Sequence, residues 1–248
     1  MPAPAPKPAM AATNLKPKTP VILRELSISE PNLSPFLQQT SFKFNTNIPS
    51  GRKPVIVINE NPLLKKEQKH IISANTNNSF ITVATPLTMP TTWKLTSGRQ
   101  VIELYCQPGD EMEINIQGNN LYTNTIFSGK WKEENNYLLQ ATAKFDHINE
   151  GLERNKMDAK PQVFKDWLNA VRQEKLDFFF QYSRKNNLHP DFLTYAEADI
   201  NYWYAFNLLN YLYEHPFLND LPFPMDVNPV YYDFMSEISV NNLSLIHI

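Results

Sequence analysis

Residues 98–145, GRQVIELYCQPGDEMEINIQGNNLYTNTIFSGKWKEENNYLLQATAKF, decide the fold reading. Over residues 101–106 the chain alternates. Ile102, Leu104 and Cys106 share one face, and Val101, Glu103 and Tyr105 share the other. Gln107-Pro108-Gly109-Asp110 places Pro and Gly at the two central positions of a type II turn. Met112, Ile114 and Ile116 then face one way, with Glu111, Glu113 and Asn115 opposite. Gly118-Asn119-Asn120 turns the chain again, and residues 121–127 are expected to complete a three-strand meander. After Ser128-Gly129 the apolar period lengthens from two to about 3.6. Tyr137, Leu138, Ala141, Phe145 and Ile148 fall on one helical face. Ser128 is the expected N-cap, Glu133 and Glu134 sit near the positive end of the helix dipole, and Asn149-Glu150-Gly151 is the expected stop.

Upstream, short β-branched or alternating runs predict strands at residues 21–28, 42–44, 54–58, 71–72, 80–83 and 93–95. Downstream the pattern is helical. One helix is predicted from Pro161 to about Lys185, with Phe164, Trp167, Leu168, Val171, Phe178 and Tyr182 as its stripe. Another is predicted from Asp191 to about Tyr213. It carries Tyr195, Asp199, Tyr202 and Phe206 on one side and Ile200, Trp203, Tyr204, Leu208 and Tyr211 on the other. Pro216, Pro222, Pro224 and Pro229 predict an irregular segment, followed by a short helix over residues 231–238. Strands first and helices second imply an α+β chain: an N-terminal antiparallel β-sandwich followed by a helical region. The expected organisation is a disordered Pro/Ala-rich tail (1–20), a sandwich (21–128), a helical domain (129–242) and a non-native tail (243–248). That last string, LSLIHI, is what one reading frame of a common sequencing-library adapter encodes.

Composition narrows the function. Twenty-three basic against 25 acidic residues leave no electrostatic footprint for nucleic acid or an anionic membrane. No apolar run reaches the ~20 residues of a transmembrane helix, and the first residues lack the basic-then-apolar order of a signal peptide. Cys106 is the single cysteine, so an internal disulfide, a Cys-x-x-Cys pair and a cysteine zinc cage are excluded within this sequence.

The candidate chemistry reads as structural. Cys106 lies on the apolar face of its strand and is expected to be buried and inert. His70, His147, His189 and His215 have no metal-ligand spacing, and no metal or cofactor is expected. Glu111 and Glu113 share a strand face and form the one candidate carboxylate pair, but with Asp110 they are better explained as a solvated face. The glycines serve turns, not a phosphate loop. The aromatic helix is expected to pack. If it has a second use, Tyr195, Tyr202, Trp203, Tyr204 and Tyr211 would form a docking surface, because tyrosine tolerates one wet end.

Several of these elements together resemble a family. They are Phe80-Ile81-Thr82-Val83, Pro108-Gly109-Asp110, Phe127-Ser128-Gly129 and Glu134-Asn135-Asn136-Tyr137-Leu138. The helical run over residues 192–213 (FLTYAEADINYWYAFNLLNYLY) and Tyr231-Tyr232-Asp233-Phe234-Met235 extend the likeness. The pattern spans roughly residues 42–242 and resembles the N-terminal region of TlpA-like thiol-disulfide oxidoreductases of Gram-negative envelopes. In that family a β-sandwich and a helical insert precede a thioredoxin-like domain that carries Cys-x-x-Cys. The resemblance implies a periplasmic or envelope location. It also implies a non-catalytic accessory role: to position, dimerise or give partner specificity to the thioredoxin-like domain. The implied partners are that domain, envelope proteins and a second copy of the chain. No position here can receive the catalytic cysteine pair, so redox activity does not carry over. The rival expectation is an independent envelope module that binds a glycan or peptide.

Overall fold

In the computed structural model, the described residues are 38–47, 55–61, 66–72, 81–87 and 89–238. The expected tail at 1–20, the strand at 21–28 and the tail at 243–248 lie outside them. Among the described residues, eight strands form two four-stranded sheets. They are β1 (Gln38–Asn47), β2 (Val55–Asn61), β3 (Lys66–Ile72), β4 (Ile81–Leu87), β5 (Thr91–Ser97), β6 (Gln100–Cys106), β7 (Glu111–Gln117) and β8 (Thr125–Gly129). One sheet has the order β4-β1-β7-β8, the other β3-β2-β5-β6. Every pairing is antiparallel except β1 with β7, which run parallel. The sandwich is therefore mixed rather than purely antiparallel. β1 and β7 are far apart in the chain, so no hairpin forces an antiparallel register.

The two sheets meet through their alternating apolar faces. Phe42 and Phe44 of β1 and Met112, Ile114 and Ile116 of β7 share one core with Trp93 and Leu95 of β5 and Ile102, Leu104 and Cys106 of β6. Phe42 and Trp93 sit with ring centroids 4.4 Å apart. The Pro-Gly turn forms as read: Gly109 has φ of +80° and the Asp110 amide donates to the Gln107 carbonyl at 3.3 Å.

The meander differs from expectation at its last strand. Residues Leu121–Asn124 make a helical turn (α1), capped by Asn120, whose Oδ1 accepts from the Tyr122 amide at 2.9 Å. Only then does β8 begin. The next helix, α2 (Lys132–Phe145), starts four residues after the expected cap, because Ser128 is spent in β8. Trp131 occupies the cap position and is buried against Tyr105, with centroids 5.3 Å apart. Glu133 and Glu134 lie in the first turn, as the dipole favours.

The expected stop at Asn149-Glu150-Gly151 is also corrected. The chain bends at Asp146–His147 and continues as α3 (Ile148–Asp158). Gly151 lies inside α3, where a Cβ would stand 3.3 Å from the Trp167 ring. The glycine therefore admits a close aromatic neighbour instead of ending the helix. Helix α4 (Pro161–Lys185) matches its predicted limits. Helix α5 (Pro190–Leu218) runs past the expected end and keeps Pro216 in its last turn. A 3-10 helix (Pro229–Ser236) closes the described chain.

Strands and helices share one core. Tyr137, Leu138, Phe179, Phe192, Tyr195 and Ile200 belong to the same apolar cluster as the sandwich interior. The bridge is Tyr105, on the β6 face opposite the sandwich interior, which packs against Trp131, Phe192 and Tyr195. A second cluster joins Leu152, Phe164, Leu168, Leu208, Tyr211 and Tyr231 between α3, α4, α5 and the 3-10 helix. Among the described residues, no helix is long and apolar enough to cross a membrane.

Candidate functional site

Where β6 meets the helices, a cleft of about 310 Å³ opens. Glu103 enters it from β6, Lys175 from α4, and Asp199 and Trp203 from α5, with Tyr137 and Tyr195 behind them. Strand alternation explains Glu103, which lies two residues from Tyr105 on the same β6 face. Asp199 and Trp203 are one helical turn apart and project together. Lys175 lays its ammonium over the Trp203 ring, 4.3 Å from the centroid, and 5.2 Å from that of Phe145.

The charges are tightly interdependent. The Asp199 carboxyl is raised from its ordinary 3.8 to about 7, first by burial and then by Glu103, with Lys175 acting against the shift. Burial lowers the Lys175 ammonium below its usual range, and Asp199 and Glu103 oppose that shift. The Tyr195 hydroxyl is pushed well up, first by burial and then by Asp199 and Glu103, while a hydrogen bond with Thr92 acts against the shift. The cleft therefore holds a carboxyl that changes protonation near neutral pH, beside a lysine and an aromatic wall. That chemistry suits binding a small polar or charged group, or holding a proton. The Thr142 hydroxyl at its edge donates to the Leu138 carbonyl at 2.8 Å and is not poised as a nucleophile.

The cysteine, acidic cluster and histidines weighed from the sequence fall elsewhere. Cys106 is fully buried, its thiol donates to the Thr91 carbonyl at 3.5 Å, and burial followed by Asp110 pushes its pKa well up. Glu111 is exposed and paired with Lys43 at 3.4 Å. Asp110 is buried, accepting from the Gln107 amide at 2.9 Å, so it belongs to the turn rather than to a solvated face. His189 caps α5 by accepting from the Asp191 amide at 3.3 Å, and His215 Nδ1 meets the Lys156 carbonyl at 2.8 Å. His70 is half-buried and His147 exposed. No group of three His, Cys, Asp or Glu side chains among the described residues could hold a metal ion.

The docking surface of Tyr195, Tyr202, Trp203, Tyr204 and Tyr211 is not presented to solvent. The four tyrosines are buried and Trp203 is half-buried. Buried tyrosines need partners for their hydroxyls, and here they have them. Tyr211 donates to the Ala159 carbonyl at 2.6 Å, and Tyr204 donates to Asn169. Tyr195 and Trp203 instead line the cleft. In the sequence, periodicity assigns Glu103 and Asp199 to faces of their elements and marks neither as a site, and nothing local marks Lys175. Three residues at positions 103, 175 and 199 share no local spacing, so only the packing of α5 against β6 and of α4 against α5 brings them together. No family model, curated protein or solved structure matches the chain.

Proposed function

We propose that this chain is a non-catalytic accessory region of a TlpA-like envelope thiol-disulfide oxidoreductase. Its role would be to position, or select partners for, a thioredoxin-like domain. The observation that carries this reading is the state of Cys106. The thiol is fully buried on the inner face of β6, occupied by Thr91 and held in its protonated form. The thiolate is the nucleophile in thiol-disulfide exchange, so this cysteine is chemically silent. The shared core of sandwich and helices supports a rigid platform rather than two independently moving parts. The test is reduction of insulin disulfides by the purified chain with dithiothreitol as electron donor. No acceleration over the donor alone is expected, and acceleration that persists in the Cys106→Ser variant would defeat the proposal.

A second reading is favoured by the cleft: an envelope module that binds a glycan or peptide. Trp203 and Tyr195 provide apolar faces, and Glu103, Asp199 and Lys175 provide hydrogen-bonding groups in one concavity. Thermal unfolding with oligosaccharide and peptide panels separates the readings. A ligand that raises the Tm with a dependence following RT ln(1 + [L]/Kd), and fails to do so in Trp203→Ala, favours the binding module.

A further inference from the structure

We infer that the outer stripe of α5 pairs with the same stripe on a second copy of the chain. α5 buries Tyr195, Tyr202, Tyr204, Leu208 and Tyr211, yet Phe206, Leu209, Tyr213 and Phe217 stand exposed. Their spacings of three, four and four residues set them along one line of the helix. Past the helix end, Leu221 and Phe223 extend the patch, with Phe223 edge-on to Tyr213 at 5.8 Å. Exposure reaches 62% at Tyr213, 77% at Phe217 and 67% at Phe223. Scattered exposed apolar residues are ordinary, but a contiguous patch this large is not.

Area and order both select a second copy as the occupant. An aromatic side chain carries about 150–250 Å². At the observed exposures the six side chains offer on the order of 700 Å², close to the ~800 Å² that each partner buries in a standard interface. The stripe also carries no free acid in its middle: Glu214, next to Tyr213, is held by Lys156 at 2.8 Å. The line from Phe206 to Phe217 is about 16 Å long at a rise of about 1.5 Å per residue. It reads aromatic, Leu, Tyr, aromatic, so reversing it keeps large side chains at both ends. Two such helices crossing antiparallel about a twofold axis set Phe206 against Phe217 of the partner subunit and Leu209 against Tyr213 of the partner subunit. This is the self-complementary geometry that a twofold interface requires. The pairing is independent of both functional readings above.

Light scattering on the 248-residue chain at tens of micromolar tests it. A mass of twice 28.7 kDa is expected. Tyr213→Asp and Phe217→Asp should each weaken the dimer by roughly 30-fold or more, the scale of a lost interface hot spot, with the circular dichroism spectrum unchanged. Ile126→Asp, at an exposed apolar position on β8, should leave the dimer intact. A monomeric wild-type chain, including one whose own terminal residues cover the stripe, overturns the inference, as does a dimer indifferent to both aspartates. If the aspartate variants fail to fold, the Leu209→Cys/Tyr213→Cys chain decides. Rapid disulfide-linked dimer formation supports the pairing and its absence overturns it, since buried Cys106 cannot supply the crosslink.

Discussion

The side-chain amide of Asn135 hydrogen-bonds both backbone groups of Tyr105. Its Oδ1 accepts from the Tyr105 amide at 2.8 Å and its Nδ2 donates to the Tyr105 carbonyl at 3.0 Å. β6 is an edge strand of its sheet, so at this point a helix side chain takes the place of a neighbouring strand. The same Nδ2 also donates to the Trp131 carbonyl at 2.9 Å, which ties the start of α2 to the sheet. Asn135→Ala should strand buried backbone groups and cost about 2–3 kcal/mol. Urea unfolding measures this; a loss within a few tenths of a kcal/mol would show that water replaces the amide.

Asp199 predicts a pH dependence of stability. Its pKa in the folded chain is about 7, against 3.8 ordinarily. Between those values the folded state binds more protons than the unfolded one, so this group makes stability fall as pH rises from about 4 to about 7. Above that window the penalty is constant. Asp199→Asn should flatten the slope and stabilise the chain most at the upper end. Unfolding midpoints of both chains across this range give the comparison, and the difference between them cancels the histidines that titrate in the same window. Parallel pH profiles would refute the assignment.

Cys106 should be unreactive toward Ellman's reagent at pH 8 in the native chain, and should release one equivalent of thionitrobenzoate in guanidinium. The reason is access and protonation together: no solvent reaches the sulfur, and burial disfavours the thiolate. Rapid native labelling would indicate that the β5–β6 pair opens readily.

Gly129→Ala should destabilise by about 2 kcal/mol. Gly129 has φ of +114°, and an added Cβ would stand 3.0 Å from the Glu111 carbonyl oxygen across the β7–β8 pair. Both the backbone strain and the clash persist whatever the side chains do. Thermal unfolding gives the value, and an unchanged Tm would mean that β8 can shift away from β7.

Much of the architecture is legible in the amino-acid sequence. Alternation placed Met112, Ile114 and Ile116 inside, and the Pro108-Gly109 pair made its turn. The α4 limits were readable because Pro161 can occupy a first helical turn and Asn186-Asn187 follow the last apolar residue. The misses share a cause. Ser128 and Gly151 have the chemistry of a cap and a stop, but strand pairing claimed the first and the Trp167 ring the second. The tyrosines of α5 looked amphipathic because each carries a hydroxyl. Whether that hydroxyl meets water or a carbonyl depends on what lies across from it.

The amino-acid sequence by itself determined that a strand-rich part precedes a helical part, the inner faces of β6 and β7, the Pro-Gly turn and the absence of a cysteine pair. These follow from periodicity, turn stereochemistry and composition, which act over a few residues. Only the tertiary structure decided that β1 pairs parallel with β7, that Asn135 closes the edge of β6, and that Glu103, Lys175 and Asp199 meet in one cleft. Each of those joins positions tens of residues apart. Such contacts arise from packing three elements against one another, and no local pattern encodes which distant side chain will face another across the gap.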